Sequence, residues 1–425
     1  MNRIISELKS QPLIGAVTII GTALAVFMIM VVVMLQSVST TPFAPESNRD
    51  RLLFGEFVHL KGINDQEGNE QSMSTSLHYI KELYSDLPGV ERISYAIMGD
   101  DRTDVQVPGS RPYSIDIRYV DDAFFDIFDF RFVSGKPFDN AASEAGLPVA
   151  VITENIARTL YGTSDATGRE IFISQKPYTV AGVVKDVSTL AWNAYSQVFI
   201  PYMNTGRQNQ TYGPPEGGPF QAYLLRESGA DVADIKAEIQ RRIEALSTLK
   251  RADNFEIVYH DQPFTIEQKL EPHGSNTTPD PTTSRRQRYG IYLVLLIIPA
   301  INLSSMTQSR LRRRVSEVGV RRAFGCTRSR VILDIIGENM IVTLIGGVIG
   351  LLLSVVFAWI YCSMTTATYG SLSTGAMLDA SMLISWSTLG FAILFCFFLN
   401  ILSSGIPAWR ASRLNPVEAL GGINR

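Results

Sequence analysis

Cysteine is scarce in this 425-residue chain, and all three cysteines lie in its C-terminal part, at Cys326, Cys362 and Cys396. No cysteine lies between residues 37 and 288. If that region is exported to an oxidising compartment, it folds without disulfides and depends on its own core, for which it is long enough. A structural disulfide between Cys326 and Cys396 is not expected either, because they are predicted in the cytoplasm and within a membrane span.

The sequence also lacks the short motifs that carry enzyme chemistry. It has no GxxxxGK[ST] phosphate loop, no GxSxG elbow, no HExxH helix and no CxxC pair. We therefore expect that the chain is not an enzyme and that it neither binds nor hydrolyses ATP. The histidines are isolated in sequence, which favours surface or core positions over a metal site assembled from them. They are His59, His78, His260 and His273.

Charge is nearly balanced overall, with 38 basic and 41 acidic residues, but it is unevenly distributed. Residues 37–288 hold 25 basic and 35 acidic residues, whereas Arg310 to Arg330 contains eight arginines and one acid. A nucleic-acid-binding protein concentrates basic charge on a folded domain, so the acidic region is a poor candidate for one. A mean hydropathy of +0.10 fits a chain that is partly membrane-embedded and partly soluble.

Four long apolar runs predict membrane-spanning helices. The first, Leu13 to Leu35, carries no charge and is long enough to cross a hydrocarbon core of about 30 Å. Ala23 to Ala25 imitates a signal-peptide cleavage site, but the apolar run continues well beyond it, which favours an uncleaved anchor. The other runs follow the large central region. They are Tyr289 to Met306, Met340 to Tyr361 and Met382 to Leu402.

Basic residues predict the orientation of these spans. The arginine-rich segment Arg310 to Arg330 lies between the second and third runs, and Lys and Arg near span ends resist translocation. We therefore expect this segment and both termini in the cytoplasm and the large region outside. Arg285, Arg286 and Arg288 oppose this orientation, but more arginines lie at the other end of the same span. Pro299 within that span predicts a kink.

Residues 37–288 show the patterns of an α+β domain. Arg51 to Lys61 and Val90 to Met98 are predicted as strands on either side of a helix at Ser74 to Leu87. This β-α-β order recurs later, so the predicted fold class has two parts. It is an α-helical membrane protein with four transmembrane helices plus a large α+β extracytoplasmic domain, made of two β-α-β units and an inserted subdomain.

The second unit consists of a strand at Phe220 to Arg226, a helix capped by Asp231, and a strand at Phe255 to His260. Between the two units lies the inserted subdomain, at about 112–202. Its phenylalanines near Phe124 are interpreted as core residues, because bulky apolar residues at helical spacing usually pack.

These patterns predict the following boundaries along the chain. Residues 1–36 hold the N-terminal segment and span 1, and 37–288 form the large extracytoplasmic domain, with β-α-β units at about 50–100 and 220–265. Span 2 is 289–306, the cytoplasmic segment between spans 2 and 3 is 307–339, span 3 is 340–361, an extracytoplasmic loop is 362–381, span 4 is 382–402, and a cytoplasmic tail is 403–425.

The arginine-rich segment permits three interpretations. A nucleic-acid-binding patch would be exposed and disordered, and a plain positive-inside loop would need only charge. A docking helix would need an apolar face. Val315, Val318 and Arg322 fall at helical spacing, Gly325 is suited to end the helix, and Thr327 can cap the next one. This pattern favours a docking helix.

Two motifs resemble those of the MacB/FtsX-type ABC transporter permeases. In that family a cytoplasmic segment E-x-G-x-x-R-A-x-G-x-x-R joins the second and third spans, and a tail P-A-x-R-A-S-R-x-x-P-V-E-A-L follows the last span. The tail motif matches from Pro407 to Leu420, and the large domain resembles the family's periplasmic core at 120–138 and 147–162. The first motif stands here as Glu317, Gly319, Arg322, Ala323, Gly325 and Arg328.

The resemblance implies a non-catalytic permease subunit of the bacterial inner membrane. It would pair with a second copy or a paralogue, and a dimer of separate ABC ATPase subunits, which bind ATP and Mg²⁺, would dock on its cytoplasmic helix. MacB carries its ATPase on the same polypeptide, and we expect the ATPase here on another chain. The residues assigned to ATPase coupling are Val315, Glu317, Val318, Gly319, Arg321, Arg322, Ala323, Gly325 and Arg328.

The implied activity is export or extrusion of a peptide, lipid, lipoprotein or drug, driven by ATPase motion that is transmitted to the periplasmic domain. The alternative is a signalling scaffold in which the same motion activates a periplasmic cell-wall hydrolase. A periplasmic adaptor or an outer-membrane factor is a further candidate partner, membrane lipids surround the spans, and no nucleic acid is expected.

Overall fold

The computed structural model describes residues 12–63, 70–99, 101–250, 254–271, 276–313, 315–368 and 386–413. The first residues of the predicted N-terminal segment, most of the predicted loop at 362–381, the start of span 4 and the tail beyond 413 lie outside them. The chain forms two compact units. The core unit is Ser39–Thr282, and the helical unit contains the apolar helices.

The helices in chain order are α1 (Pro12–Thr40), α2 (Leu77–Tyr84), α3 (Phe124–Ile127), α4 (Asn140–Glu144), α5 (Glu154–Tyr161), α6 (Val232–Lys250), α7 (Ile266–Lys269), α8 (Pro281–Arg313), α9 (Val315–Ala323), α10 (Arg328–Thr368) and α11 (Trp386–Ser412). The strands are β1 (Leu52–Gly55), β2 (Phe57–Gly62), β3 (Glu70–Ser74), β4 (Val90–Ile97), β5 (Asp101–Gln106), β6 (Tyr113–Val120), β7 (Phe132–Gly135), β8 (Val149–Thr153), β9 (Glu170–Ile173), β10 (Lys176–Val184), β11 (Val198–Pro201), β12 (Phe220–Arg226), β13 (Phe255–Ile257) and β14 (Phe264–Thr265). Short 3-10 turns lie at Arg49–Arg51, Tyr202–Thr205 and Arg207–Asn209.

Four helices of the helical unit are long and apolar enough to cross a membrane: α1, α8, α10 and α11. They confirm the four predicted spans, each of which overlaps one of these helices. Helix α10 has 41 residues. At 1.5 Å per residue it is about 60 Å long, which is twice the thickness of a hydrocarbon core. The whole of α10 is therefore too long for a hydrocarbon core, and its charged part, from Arg328 to Glu338, is the part expected to lie outside.

Glycines of α10 let α1 and α11 approach it closely. A Cβ added at Gly350 would collide with the carbonyl oxygen of Ala23, and Gly346 is similarly close to α1. On the side of α11, a Cβ at Gly347 would lie 2.6 Å from the Sγ atom of Cys396. Small residues at these positions allow the helix backbones to pack at short range, as expected for helices in a membrane.

Helix α8 begins earlier than the predicted second span. The side chain of Asp280 caps it by accepting a hydrogen bond from the Thr282 backbone N–H at 3.0 Å. Pro281 suits the first turn, where its missing N–H is not needed. The helix therefore starts eight residues before the predicted span at Tyr289. The helix continues through Pro299 as one element, and the kink predicted there stays a prediction.

Six strands of the core unit close into a barrel. Strand β6 pairs with β5 and β11, and the ring continues from β11 through β8, β10 and β9 back to β5. Its buried aliphatic side chains include Val105, Ile117, Ile152 and Val180. This barrel is the predicted inserted subdomain. It begins at Asp101, ahead of the expected start, because β5 is needed to complete the ring.

The two predicted β-α-β units interleave. Strand β12 of the second unit lies between β4 and β1 of the first and is antiparallel to both. Strand β13 pairs with β2, which also pairs with β3, in a separate three-stranded sheet. Helices α2 and α6 contribute Leu83 and Ile239 to the same buried cluster as Leu224 of β12. The second unit therefore completes the core of the first.

The prediction of one strand at Arg51 to Lys61 is wrong in detail, because β1 and β2 are separated at Glu56. The Oε1 atom of Gln262 accepts hydrogen bonds from the backbone N–H groups of Glu56, at 2.9 Å, and Phe57, at 3.0 Å. These two donors are thereby used outside the strand ladders. Strand β3 is an element that the sequence patterns did not indicate.

The predicted core role of the phenylalanines is confirmed. Phe124 and Phe128 are fully buried with ring centroids 4.5 Å apart, and both contact the ring of Tyr223 from β12. Aromatic rings in such tilted and edge-to-face arrangements stabilise a core beyond the area they bury.

Candidate functional site

The predicted cytoplasmic segment, 307–339, contains a short helix, α9, that begins at Val315 and ends at Ala323. Gly325 follows with φ of +90°, a backbone conformation that glycine adopts without strain. The N–H of Cys326 then bonds to the carbonyl of Arg321 at 3.1 Å, which closes the end of the helix. Thr327 caps α10, since its Oγ1 accepts from the Arg330 N–H at 3.4 Å. The predicted turn and cap are therefore present.

One face of α9 packs inside the helical unit. Val318 contacts a small apolar cluster made by α10 and α11, which includes Val331, Ile335, Ala408 and Ala411. Leu311, at the end of α8, contacts the same cluster. Gly319, the next residue of α9, is also buried. Val318 and Gly319, two of the predicted coupling residues, thus hold the helix against its neighbours.

Two arginines of α9 make polar contacts with neighbouring helices. The Nη1 atom of Arg322 donates a hydrogen bond to the carbonyl oxygen of Ser412, the last residue of α11, at 2.9 Å. Arg321 pairs with Glu317 at 2.9 Å, within α9, and lies 3.8 Å from a carboxylate oxygen of Asp334 in α10. Three of the predicted coupling residues therefore face other groups of this chain.

The opposite face of α9 presents apolar side chains to solvent. Phe324 is 89% exposed and Val320 is 41% exposed. They are four residues apart, so they lie on the same side of the helix and its end. Neither was among the predicted coupling residues, although the V-x-x-x-F spacing is visible in the sequence. Of those residues, Ala323, Gly325 and Arg328 are exposed, and Val315 is half-buried.

A small cavity lies where α9 meets α10. It has a volume of about 30 Å³ and is lined by Glu317 and Arg321 of α9 and by Asp334 and Glu338 of α10. A space of this size accommodates about one water molecule. The cavity is therefore too small for a substrate, and its charged walls bring the two helices into polar contact.

The core unit brings together three side chains with metal-ligand chemistry that are distant in sequence. They are His59 of β2, Glu70 of β3 and His260, just after β13. The His59 Nδ1 atom lies 3.5 Å from Glu70 Oε1, the Nε2 atom of His260 contacts the same oxygen, and the imidazole centroids are 4.4 Å apart. Two imidazoles and a carboxylate are a donor set that zinc accepts.

The surroundings of His59 do not fit a metal. The Nε2 atom of His59 lies 3.1 Å from the amide nitrogen of Gln262. The oxygen and nitrogen of that amide cannot be exchanged by a flip. The oxygen already accepts from the backbone N–H groups of Glu56 and Phe57, and the nitrogen donates to the Phe57 carbonyl at 2.8 Å. Gln262 therefore donates to Nε2 and leaves the proton of the neutral ring on Nδ1, the atom that a metal would need.

The three side chains meet at the Glu70 carboxylate. His260 contacts it through Nε2, and the Nδ1 atom of His59 lies 3.5 Å from the same carboxylate oxygen, which is long for a hydrogen bond. The Nδ1 atom of His260 lies 3.3 Å from the hydroxyl of Thr278, which can donate to it. His59 and His260 are isolated in sequence but lie side by side in the fold, and the preference for surface or core positions over a metal site stays a prediction.

Sequence profiles of known protein families match both units of the chain. The sequence profile described as the MacB-like periplasmic core domain matches residues 16–242, which is over half of the chain. The profile described as the FtsX-like permease C-terminal region matches residues 289–416, including α9 and α11. The chain belongs to the MacB/FtsX-type ABC transporter permeases. This MacB/FtsX-type permease has four apolar helices and a large α/β domain of the periplasmic core type.

Curated relatives of this permease share about a quarter of its sequence. The uncharacterised ABC transporter permease YknZ of Bacillus subtilis is 23% identical over 362 residues, which cover 85% of this chain and 77% of YknZ. The macrolide export ATP-binding/permease protein MacB of Neisseria gonorrhoeae is 24% identical over 302 residues, which cover 71% of this chain and 42% of MacB. The aligned region therefore spans less than half of that MacB.

Solved structures of extracytoplasmic domains are also similar to this permease. The extracellular domain of YknZ from Gram-positive bacteria matches with a TM-score of 0.32 and 14% identity, over 48% of this chain and 100% of that domain. The periplasmic region of MacB from Actinobacillus actinomycetemcomitans matches with a TM-score of 0.34 and 15% identity, over 52% of this chain and 94% of that region.

Proposed function

We propose that this permease transmits ATP-driven motion of separate ATPase subunits to its core unit and thereby exports or extrudes a peptide, lipid, lipoprotein or drug. The observation that carries this proposal is the exposed apolar pair on α9, Val320 and Phe324, in a short helix whose other face is packed. A solvated loop does not need two exposed apolar side chains on one side. A helix that binds a partner does need them, because exposed apolar patches mark interaction sites.

The proposed orientation follows from charge. The arginines of Arg310 to Arg330 favour the cytoplasm, so α9 faces the cytoplasm and the core unit lies on the periplasmic side of a bacterial inner membrane. Both termini are then cytoplasmic. ATP and Mg²⁺ bind to the ATPase dimer rather than to this chain, which lacks a phosphate-loop sequence. A second copy of the permease, or a paralogue, completes the complex, with an adaptor or an outer-membrane factor as a further partner.

The exposed side chains of α9 indicate the chemistry of the partner surface to which it would bind. Phe324 is a large apolar anchor, and an anchor of this kind contributes most when it enters a pocket from which water is excluded. Arg328, also exposed, lies close by in the sequence. The complementary surface is an apolar pocket with an acidic rim on the ATPase. The coupling assigned to Glu317, Arg321 and Arg322 then consists of holding α9 in place.

The experiment is photo-crosslinking of the full chain in its own cells, with benzoylphenylalanine in place of Phe324. We expect an adduct with a protein whose sequence, read by mass spectrometry, contains a GxxxxGK[ST] phosphate loop. The control carries the same group in place of Leu249 of α6, which is 72% exposed but lies in the core unit. An adduct with the same ATPase at Leu249, or ATP hydrolysis by the purified chain alone, contradicts the proposal.

A second crosslinking measurement on the same cells distinguishes the transport proposal from the signalling alternative. Under the transport proposal, crosslinks from the core unit reach an adaptor, an outer-membrane factor or an extruded substrate. A crosslink to a cell-wall hydrolase, with loss of hydrolase activity in cells that lack the ATPase, contradicts transport and supports the signalling scaffold. The large core unit is the feature that favours transport, because in the resembled family the scaffold type generally has a smaller extracytoplasmic domain.

A further inference from the structure

Two sequence motifs of the helical unit meet at one hydrogen bond. Arg322 belongs to the E-x-G-x-x-R-A motif of α9, and Ser412 belongs to the P-A-x-R-A-S-R motif at the end of α11. The Arg322 Nη1 atom donates to the Ser412 carbonyl oxygen at 2.9 Å. The last carbonyls of a helix have no partner within the helix and carry its negative dipole end. A guanidinium group is well suited to that position, because it is cationic and a fixed donor.

The acceptor is held firmly. Ser412 is almost completely buried, and its hydroxyl donates to the carbonyl oxygen of Trp409 at 2.8 Å. Before Ser412 in the same helix, Ala408 is fully buried and Ala411 nearly so, in the cluster against which Val318 packs. Small residues at these positions bring α9 close to α11. The polar contact therefore lies beside an apolar one, and together they restrain both the distance and the rotation of α9.

A second contact joins α9 to α10. Arg321 lies between Glu317 of its own helix and Asp334 of α10, at 2.9 and 3.8 Å. Asp334 is also 3.9 Å from Arg330, in the first turn of α10. These groups are partly exposed, so solvent screens them, and this contact is weaker than the one made by Arg322. It nevertheless joins α9 to α10 rather than to α11, so it restrains α9 from another side.

We propose that Arg322 is a positioning residue that fastens α9 to the end of α11, so that a force on α9 moves α10 and α11 together. This inference rests on the proposed function, in which the force comes from an ATPase on Phe324. Helix α9 has nine residues and a glycine turn behind it. Without the Arg322 contact, a push on its exposed face would tilt α9 about that turn instead of displacing the membrane-spanning helices.

The test measures the distance between α9 and α11 in the full chain, reconstituted in lipid nanodiscs. Spin labels replace the exposed Ser316 of α9 and Arg410 of α11, in a background without the native cysteines. Arg322→Met keeps the aliphatic stem and removes the donor. We expect a distance distribution at least twice as broad as that of the parent protein. Arg322→Lys restores one donor, and we expect it to recover the narrow distribution.

The matched control is Arg312→Met, which removes an exposed arginine of α8 and should leave the distribution unchanged. Photo-crosslinking through position 324 is measured in parallel. An unchanged crosslink yield with a broadened distribution in Arg322→Met supports the positioning role. A lost crosslink with an unchanged distribution makes Arg322 an ATPase contact and overturns the inference, as does a variant that changes neither measurement.

The two proposals fail in different ways. If position 324 yields no ATPase adduct even in the parent protein, the proposed function fails, whereas the distance measurement still reports whether Arg322 holds α9 to α11. If Arg322→Met does not accumulate in the membrane, Asp334→Asn tests the second contact with the same labels. The expected result is then a smaller broadening, and a distribution identical to that of the parent protein overturns the view that α9 is held by polar contacts.

Discussion

Arg322 and Ser412 are 90 residues apart in the chain and are joined by a hydrogen bond of 2.9 Å between a guanidinium nitrogen and a backbone carbonyl oxygen. The bond makes the coupling helix and the end of the last apolar helix parts of one structure. It also separates two roles within a single arginine-rich segment. Arg321 and Arg322 contact groups of α10 and α11, whereas Val320 and Phe324 are exposed, so the proposed holding and docking roles fall on different side chains.

The buried ion pair of the core unit should be sensitive to loss of one partner. Glu46 and Arg49 are both fully buried and 2.5 Å apart, and the Glu46 carboxylate also accepts from the backbone N–H groups of Asn193 and Ala194. Arg49→Met leaves a buried carboxylate without its cation. We expect the free energy of unfolding to fall by about 3–5 kcal/mol, measured by urea unfolding of the full chain in detergent.

Two comparisons separate this effect from a general loss of charge. Trp192, the only tryptophan of residues 39–282, reports unfolding of the core unit when the other tryptophans are replaced by phenylalanine. Adding Glu46→Gln to Arg49→Met should recover part of the loss, because the carboxylate that lost its cation is then replaced by a neutral amide. Arg92→Met removes an exposed partner of Asp126 and should cost less than about 1 kcal/mol. Equal losses for Arg49 and Arg92 would contradict the assignment.

Asp121 should make the core unit less stable as the pH rises from about 4 to about 7. Burial raises the pKa of its carboxyl group from 3.8 to about 7, against hydrogen bonds from the Ser94 hydroxyl, the Tyr95 N–H and the Phe124 N–H, which favour the charged form. Between pH 3.8 and about 7, the Asp121 carboxyl group is therefore protonated in the folded state and ionised in the unfolded state. The resulting stabilisation is complete below pH 4 and is lost as the pH rises through about 7.

The measurement compares the parent protein with Asp121→Asn between pH 5 and pH 8. The difference in unfolding free energy should change by up to about 1.4 kcal/mol per pH unit, in the direction that penalises the parent protein as the pH rises. Asp104→Asn, at an exposed position of β5, is the matched control and should follow the parent curve. A constant difference between Asp121→Asn and the parent protein would show that the Asp121 carboxyl is ionised throughout.

Gly350 should tolerate no larger side chain. An added Cβ would collide with the Ala23 carbonyl oxygen and lie 2.9 Å from the Cβ of Val26, both in α1. Gly350→Ala must therefore displace one helix, and we expect it to cost about 1–3 kcal/mol. Gly337→Ala is the control, because nothing lies within 4 Å of its Cβ position and alanine favours helix. Thermal unfolding in detergent should show a lower midpoint for Gly350→Ala and no decrease for Gly337→Ala.

Zinc should not stabilise the core unit through His59, Glu70 and His260. Gln262 donates to the Nε2 atom of His59, so a metal on Nδ1 would force two N–H groups against each other. We expect the same thermal midpoint for the full chain with EDTA and with a small excess of Zn²⁺. A zinc-induced increase that disappears in His59→Ala would show that the Gln262 amide gives way and that the site takes a metal. An increase that persists in this variant would come from other ligands.

Local sequence was sufficient for several elements of the fold. The four apolar helices follow from uninterrupted hydrophobic runs, and β12 begins and ends at Phe220 and Arg226 as its pattern predicts. Helix α5 follows Thr153 and ends at Gly162, whose φ is +71°, a conformation that glycine adopts without strain. In each case the decisive signal lies within a few residues, because length, capping and turn preferences are local properties.

Other features could not be obtained in this way. The break at Glu56 depends on the side chain of Gln262, and the barrel depends on β5 and β9 pairing across distant parts of the sequence. Periodicity finds a strand but not its partner. The helical spacing of Val318 and Arg322 was likewise visible, but it could not tell whether these side chains face the protein or a partner, because both arrangements produce the same pattern.

For the segment Arg310 to Arg330, the sequence by itself determined three things: a dense positive charge, a helix from Val315 onward, and the glycine that ends it. These are consequences of composition and local backbone preference. Only the tertiary structure decided which side chains turn inward, since that choice depends on where the ends of α10 and α11 are. In the folded helical unit, Arg322 donates to the free carbonyl oxygen of Ser412 at the end of α11. Phe324 stays exposed, because none of the described helices packs over its ring.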